Sequence, residues 1–280
     1  MGIFSGLEKM GFKSMDKVDL FAEEKKDKAK VRKKEKDAKK ELTESDLLYD
    51  KSMTCPICEE EFKIKAVVAS KVKRKQPDID MRPRYVGIDP LKYDAIVCHK
   101  CGFAALSSYF KDSLITDNQL IMIREGVTAN YNPEPVEKHD VYTYDEAIDN
   151  HKLALFNAVV KKGRASEKAY ICLKLGWLYR GKSETYSKDA ADYDDVIAEC
   201  KKDEIEYLEE AKKGFIYSLS HESGKICGME PVVVEYLCAA LAYDLGNHEE
   251  CQRILSRLIT NPAVSSQMKD KCRELKEKLK

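Results

Sequence analysis

Two short cysteine pairs, Cys55-Pro56-Ile57-Cys58 and Cys98-His99-Lys100-Cys101, are the strongest constraint on how this chain folds. A C-x-x-C turn lets two sulfurs converge on one ion while backbone N–H groups of the turn point at the thiolates. Two such turns supply four thiolates, the donor set of a closed tetrahedral site. Cys55, Cys58, Cys98 and Cys101 are therefore the expected metal ligands. The expected ion is structural Zn2+, with iron as the minor alternative, because all-sulfur tetrahedral geometry admits both. Four thiolates leave no open position for water or substrate, so a catalytic metal is not expected. His99 stands between ligands and reads as solvent-facing, and Gly102 suits a turn that needs positive φ.

The start of the chain has neither a continuous apolar core nor a small-residue cleavage site, so it does not read as a secretory signal. A cytoplasmic location is the resulting expectation, and in that compartment thiols stay reduced. No stretch approaches the roughly 18 continuous apolar residues of a membrane span, so no integral membrane segment is expected. The other six cysteines, Cys172, Cys200, Cys227, Cys238, Cys251 and Cys272, are scattered singly, mostly on apolar helical faces where Cys behaves as a small hydrophobe. Cys227 follows His221 by six residues in a glycine-containing loop, but no third group completes a catalytic arrangement.

The 39 residues between the cysteine pairs exceed the insert of the simplest zinc ribbons, so they must form ordered structure. Phe62, Ile64, Ala66 and Val68 alternate as in a strand, and Tyr93–Val97 reads as a second strand running into Cys98. Pro77, Pro83, Gly87 and Pro90 punctuate the loop between them. Residues 47–115 are thus expected to form a small four-cysteine zinc-ribbon-like β domain.

From Tyr144 the apolar period becomes helical. Ala147, Leu153, Ala154, Phe156 and Ala158 share one helix, and Ala169–Tyr179 forms the next. Cys172, Leu175, Gly176 and Tyr179 occupy the positions of a tetratricopeptide first helix, with Ala211 and Phe215 matching a second helix. A Leu245-Gly246 turn and a helix through Cys251, Leu255 and Leu258 resemble part of another repeat. Trp177 reads as a core residue. The interval of 40 residues from Ala211 to Cys251 departs from the ordinary period of 34, so any repeats are degenerate. Residues 116–280 are expected to form an α-helical tetratricopeptide-like domain of stacked hairpins, which makes the whole chain α+β.

Charge sorts by segment. The chain carries 49 basic and 49 acidic residues and a net charge of zero. Residues 23–41 alone hold ten Lys/Arg and six Asp/Glu, with almost nothing apolar. Residues 23–46 therefore read as a solvated helix or linker. Residues 1–22, with Phe4, Leu7, Met10, Met15, Val18 and Phe21 spaced mostly by threes, read as an amphipathic segment.

The combination of Cys55-Pro56-x-Cys58, Asp89-Pro90-Leu91-x-Tyr93, Cys98-x-x-Cys101-Gly102-Phe103-Ala104-Ala105 and Gly176-Trp177-Leu178-Tyr179-Arg180 resembles a bacterial family, domain of unknown function 2225. His99 stands where members of that family often have proline. The resemblance covers the chain from about Ser52 onward, implies a zinc knuckle with tetratricopeptide-like helices, and brings no activity with it.

No phosphate-binding loop, dinucleotide fingerprint, metalloprotease motif or nucleophile elbow is present. The expected function is that of a non-enzymatic zinc-binding helical-repeat scaffold or adaptor, with a protein or peptide partner on the helical domain. The alternative is a nucleic-acid-binding zinc-ribbon protein that uses the basic loop 71–85, through Lys71, Lys73, Arg74, Lys75, Arg82 and Arg84.

Overall fold

A computed structural model describes residues 42–132 and 139–279. The expectations for residues 1–22 and 23–41 fall outside these residues.

The region around the cysteines is built from short antiparallel hairpins. β1 (Leu48–Thr54) pairs with β2 (Glu61–Val67) in a register running from Leu48 opposite Val67 to Thr54 opposite Glu61. Two-residue strands β3 (Arg74–Lys75) and β4 (Arg84–Tyr85) close the middle of the insert. Asp89 then accepts a hydrogen bond from the Leu91 N–H and Pro90 starts a 3-10 turn through Tyr93. The strand expected from Tyr93 therefore begins later, as β5 (Ala95–Val97), and pairs with β6 (Ala104–Leu106).

Among the described residues the rest of the chain forms seven α-helices. They are α1 (Asp117–Gly126), α2 (Tyr144–Val160), α3 (Ala165–Thr185), α4 (Tyr193–His221), α5 (Pro231–Asp244), α6 (His248–Thr260) and α7 (Ser266–Glu277). Capping boxes start the first two, Thr116 with Gln119 and Thr143 with Glu146. From α2 to α7 each helix packs on the one before it, and α2 also lies on β5 and β6. The fold is α+β. No helix among the described residues is long and apolar enough to cross a membrane.

Residues Thr43–Lys280 form one compact unit. α3 lies at its centre and buries Ile171, Leu173, Leu175 and Leu178 on all sides. Small residues set its distance to α4: a Cβ on Gly176 would come within 2.7 Å of Leu208, and one on Gly214 within 2.7 Å of Ala169. Ala211 and Phe215 are fully buried on the facing side of α4. Phe156, by contrast, points outward from α2 and is half exposed.

The β5–β6 hairpin joins two cores. Because side chains alternate along a strand, Ala95, Val97, Ala104 and Leu106 enter the main core with the helices. Ile96 and Ala105 face the other way, into a second core with Cys55, Ile57, Phe103, Phe110, Ile123 and Val127.

Candidate metal centre

Each cysteine pair sits at the apex of a hairpin, Cys55–Cys58 between β1 and β2 and Cys98–Cys101 between β5 and β6. The two turns repeat one backbone pattern. In the first, the Glu59 N–H donates to the Cys55 carbonyl and the Cys55 N–H to the Glu60 carbonyl, both at 2.9 Å. In the second, the Gly102 N–H donates to the Cys98 carbonyl at 2.9 Å and the Cys98 N–H to the Phe103 carbonyl at 2.8 Å. The fifth residue of each turn is left-handed, with φ of 60° at Glu59 and 74° at Gly102. Gly102 thus adopts the conformation its position suggested. Glu59, which the sequence presents only as part of an acidic run, occupies the equivalent place.

These turns bring all four sulfurs within 4.8 Å of one another. Cys55 Sγ lies 3.6 Å from Cys101 Sγ, and Cys58 Sγ lies 3.6 Å from Cys98 Sγ. A tetrahedron of Zn–S bonds of about 2.3 Å spaces its sulfurs about 3.8 Å apart, so the observed spacing fits a metal. It excludes disulfides, whose sulfurs lie about 2.05 Å apart. Crowding also splits the ionisation of the thiols. Hydrogen bonds from Cys101 and Cys55 push the Cys98 thiol far down, whereas those with Cys55 and Cys98 push Cys101 far up. Four neighbouring thiolates need a cation to coexist, which makes metal binding a proton-releasing step. The cluster could therefore hold a metal ion. Tetrahedral all-sulfur coordination would be structural, with every position closed by protein.

The helices hold both turns from behind. Arg124 of α1 donates to the Ile57 carbonyl at 3.3 Å. Asn157 of α2, fully buried, donates to the Gly102 carbonyl at 3.1 Å and to the Leu153 carbonyl at 2.9 Å. The ring of Tyr131 lies so close to Gly102 that a Cβ there would meet Tyr131 Cγ at 2.6 Å. On the outer side, Lys100 pairs with Glu60 at 2.6 Å and links the two turns. Arg124, Tyr131 and Asn157 lie in segments with no metal-site signature of their own, and only the fold brings them here. His99 is exposed and lies outside the sulfur cluster.

The scattered cysteines Cys172, Cys200, Cys238, Cys251 and Cys272 are all buried among helices. Burial pushes their thiols up, to about 12 for Cys172 and Cys238 and about 11 for Cys251 and Cys272, as expected of inert core residues. Cys227 and His221 are not brought together. Cys227 Sγ meets the Ser166 carbonyl and the Tyr109 hydroxyl, while His221 bonds the Tyr217 carbonyl. In the basic loop, Lys71, Lys73, Arg74 and Lys75 are exposed. Arg82 is buried and paired with Asp89 and Glu184, and Arg84 is paired with Asp78 and Glu184.

The profile of one protein family, described as an uncharacterized protein conserved in bacteria (DUF2225), matches residues 48–279. The chain belongs to that family. The match begins with β1 and takes in both cysteine turns and all seven helices. Searches of curated proteins and of solved structures gave no match to this member of DUF2225.

Proposed function

We propose that this chain is a non-enzymatic zinc-binding scaffold whose tetratricopeptide-like helical hairpins dock a protein or peptide partner. The observation that carries this reading is the serial packing of α2 to α7 with large apolar side chains left on the outside. Phe156 and Val159 on α2, and Ile205, Ile216 and Tyr217 on α4, are 41–54% exposed. Stacked hairpins bury together what one hairpin cannot, and they leave extended faces on which partners dock. Zinc in this reading fixes the two turns against α1 and α2. A four-thiolate site suits that static role, because it offers no vacant coordination position.

Photocrosslinking of the full chain in its native cells tests the docking role. A photoreactive residue in place of Phe156 or Ile216 is expected to give a discrete, saturable adduct, and one in place of the exposed Arg253 is not. Adducts of equal yield at all three positions would reject a docking face. Elemental analysis is expected to find one zinc per chain, lost in Cys55→Ser and retained in Cys172→Ser. The alternative of nucleic-acid binding finds support in the exposed row Lys73, Arg74 and Lys75, and its signature would be a steep loss of affinity with salt.

A further inference from the structure

A cleft of about 550 Å³ opens between β4, the turn after it, the start of α2 and the end of α3. That volume falls within the range of small-molecule sites. None of the four clustered cysteines lines it.

Arg82 forms part of its wall although the side chain is only 2% exposed. One terminal nitrogen donates to Glu184 Oε2 at 3.2 Å and the other to Asp89 Oδ2 at 3.0 Å. Its Nε is buried with no partner. Leaving a buried donor unpaired is destabilising, and more so when the group is charged. The surroundings are nevertheless shaped to keep the guanidinium there. Gly181 makes the room, since a Cβ at that position would lie 2.7 Å from the Arg82 terminal nitrogen and 2.5 Å from the Tyr144 ring. Tyr144 in turn donates to Asp89 at 3.0 Å.

Arg84 stands beside Arg82 and grips the same carboxylate. Its terminal nitrogens reach Glu184 Oε2 at 2.5 Å and Oε1 at 2.6 Å. Glu184 thus sits in the fork of two guanidiniums, the geometry by which arginine recognises a carboxylate. Yet Glu184 lies in the last turn of α3, where the helix dipole disfavours negative charge. It is also 39% exposed, so solvent reaches it.

We propose that Arg82 and Arg84 form the anion subsite of a ligand cleft, and that Glu184 fills this subsite until a ligand's carboxylate displaces it. The ligand's body would lie on Tyr85, Ile88 and Tyr144, which supply aromatic and apolar wall. A small organic acid and the C-terminus of a peptide both carry this chemistry. The peptide source rests on the scaffold reading above, whereas the small-acid source stands without it.

Trp177, the only tryptophan, provides the readout. Its Nε1–H donates to Asp80 Oδ2 at 2.7 Å, and Asp80 Oδ1 accepts from the Arg82 backbone N–H at 3.2 Å. The full chain would be titrated with isovalerate and with N-acetyl-trialanine, each beside its carboxamide, at constant ionic strength. Tryptophan fluorescence is expected to saturate with a carboxylate and not with its amide. Glu184→Ala should bind roughly tenfold tighter or better, because an intramolecular competitor has been removed. Arg84→Gln should lose binding. Circular dichroism would check the fold of each variant, with Glu184→Gln replacing an unfolded Glu184→Ala.

Response to isovalerate alone assigns a small acid, and response to the peptide alone assigns a chain end. Response to both assigns the carboxylate itself. Absence of saturable binding in both wild type and the Glu184 variant overturns the proposal, as does equal binding of the amides. Undiminished binding by Arg84→Gln overturns it as well. A negative result here with a positive crosslink at Phe156 would leave the scaffold reading intact.

Discussion

The repeated backbone pattern of the two cysteine turns leads to a pair of substitutions with opposite effects. Glu59 and Gly102 hold equivalent left-handed positions, with φ of 60° and 74°. That conformation costs an ordinary residue roughly 1–2 kcal/mol. Glycine escapes this strain but loses about 0.5–1 kcal/mol more than alanine in backbone entropy on folding. The difference makes Glu59→Gly stabilising by roughly 0.5–1 kcal/mol and Gly102→Ala destabilising by a similar amount on backbone grounds. At Gly102 a second effect adds to the first, because the new Cβ would lie 2.6 Å from Tyr131 Cγ and 2.7 Å from Cδ2. Overpacking of this kind costs about 1–3 kcal/mol, so the total for Gly102→Ala is about 1.5–4 kcal/mol. Urea unfolding of the zinc-saturated full chain, followed through Trp177, measures both. In a Tyr131→Gly background, which also removes the Tyr131 Cβ that would lie 3.0 Å away, the effect of Gly102→Ala should fall back to roughly 0.5–1 kcal/mol. Destabilisation by Glu59→Gly, or a Gly102→Ala effect of equal size in both backgrounds, would refute the equivalence of the turns.

Two further expectations concern the helices. His151 is fully buried, with Nδ1 on the Ala147 carbonyl and Nε2 unpartnered, and burial pushes its pKa down to about 4. Between about pH 6.5 and 4 the unfolded chain binds a proton that the folded chain refuses, so stability declines as pH falls through that window, by up to about 3 kcal/mol. Asp244, raised to about 6 by burial, acts in the opposite sense in both proteins compared. His151→Gln should therefore flatten the acid side of the stability curve relative to wild type, and an unchanged difference across pH 4–6.5 would contradict this. At Gly176→Ala overpacking costs about 1–3 kcal/mol against about 1 kcal/mol that helix propensity returns, so the net destabilisation should be up to about 2 kcal/mol. Its added Cβ meets Leu208, so in a Leu208→Ala background the sign should reverse, as denaturant melts would register.

What could be read in advance depended on whether the signal was local. Cys55, Cys58, Cys98 and Cys101 announce themselves by type and spacing, and Gly102 by its place after a pair. Ala211, Phe215, Leu175 and Gly176 follow helical periodicity, and the structure buries them where α3 and α4 meet. β5 and β6, at three residues each, are too short to carry an alternation of their own. Phe62 and Ile64 give β2 its pattern, but its partner β1 faces mostly solvent and shows none. Arg82 gives no local sign of its burial. A charged residue in a proline-rich loop reads as solvated, because its partner Glu184 is 102 positions away and Gly181 shows its purpose only once α3 is in place.

The β5–β6 hairpin has a consequence for how this chain can change in length. With Ile96 and Ala105 committed to one core and Ala95, Val97, Ala104 and Leu106 to the other, neither face of the hairpin is open to water. Inserting or deleting one residue ahead of Cys98 would turn every side chain of the strand to the wrong side. It would also rotate the turn that aims two of the four sulfurs. Natural length variation should therefore be absent from residues 95–106 and should collect in stretches such as 186–192, between α3 and α4, where an added residue only lengthens a solvent-facing turn.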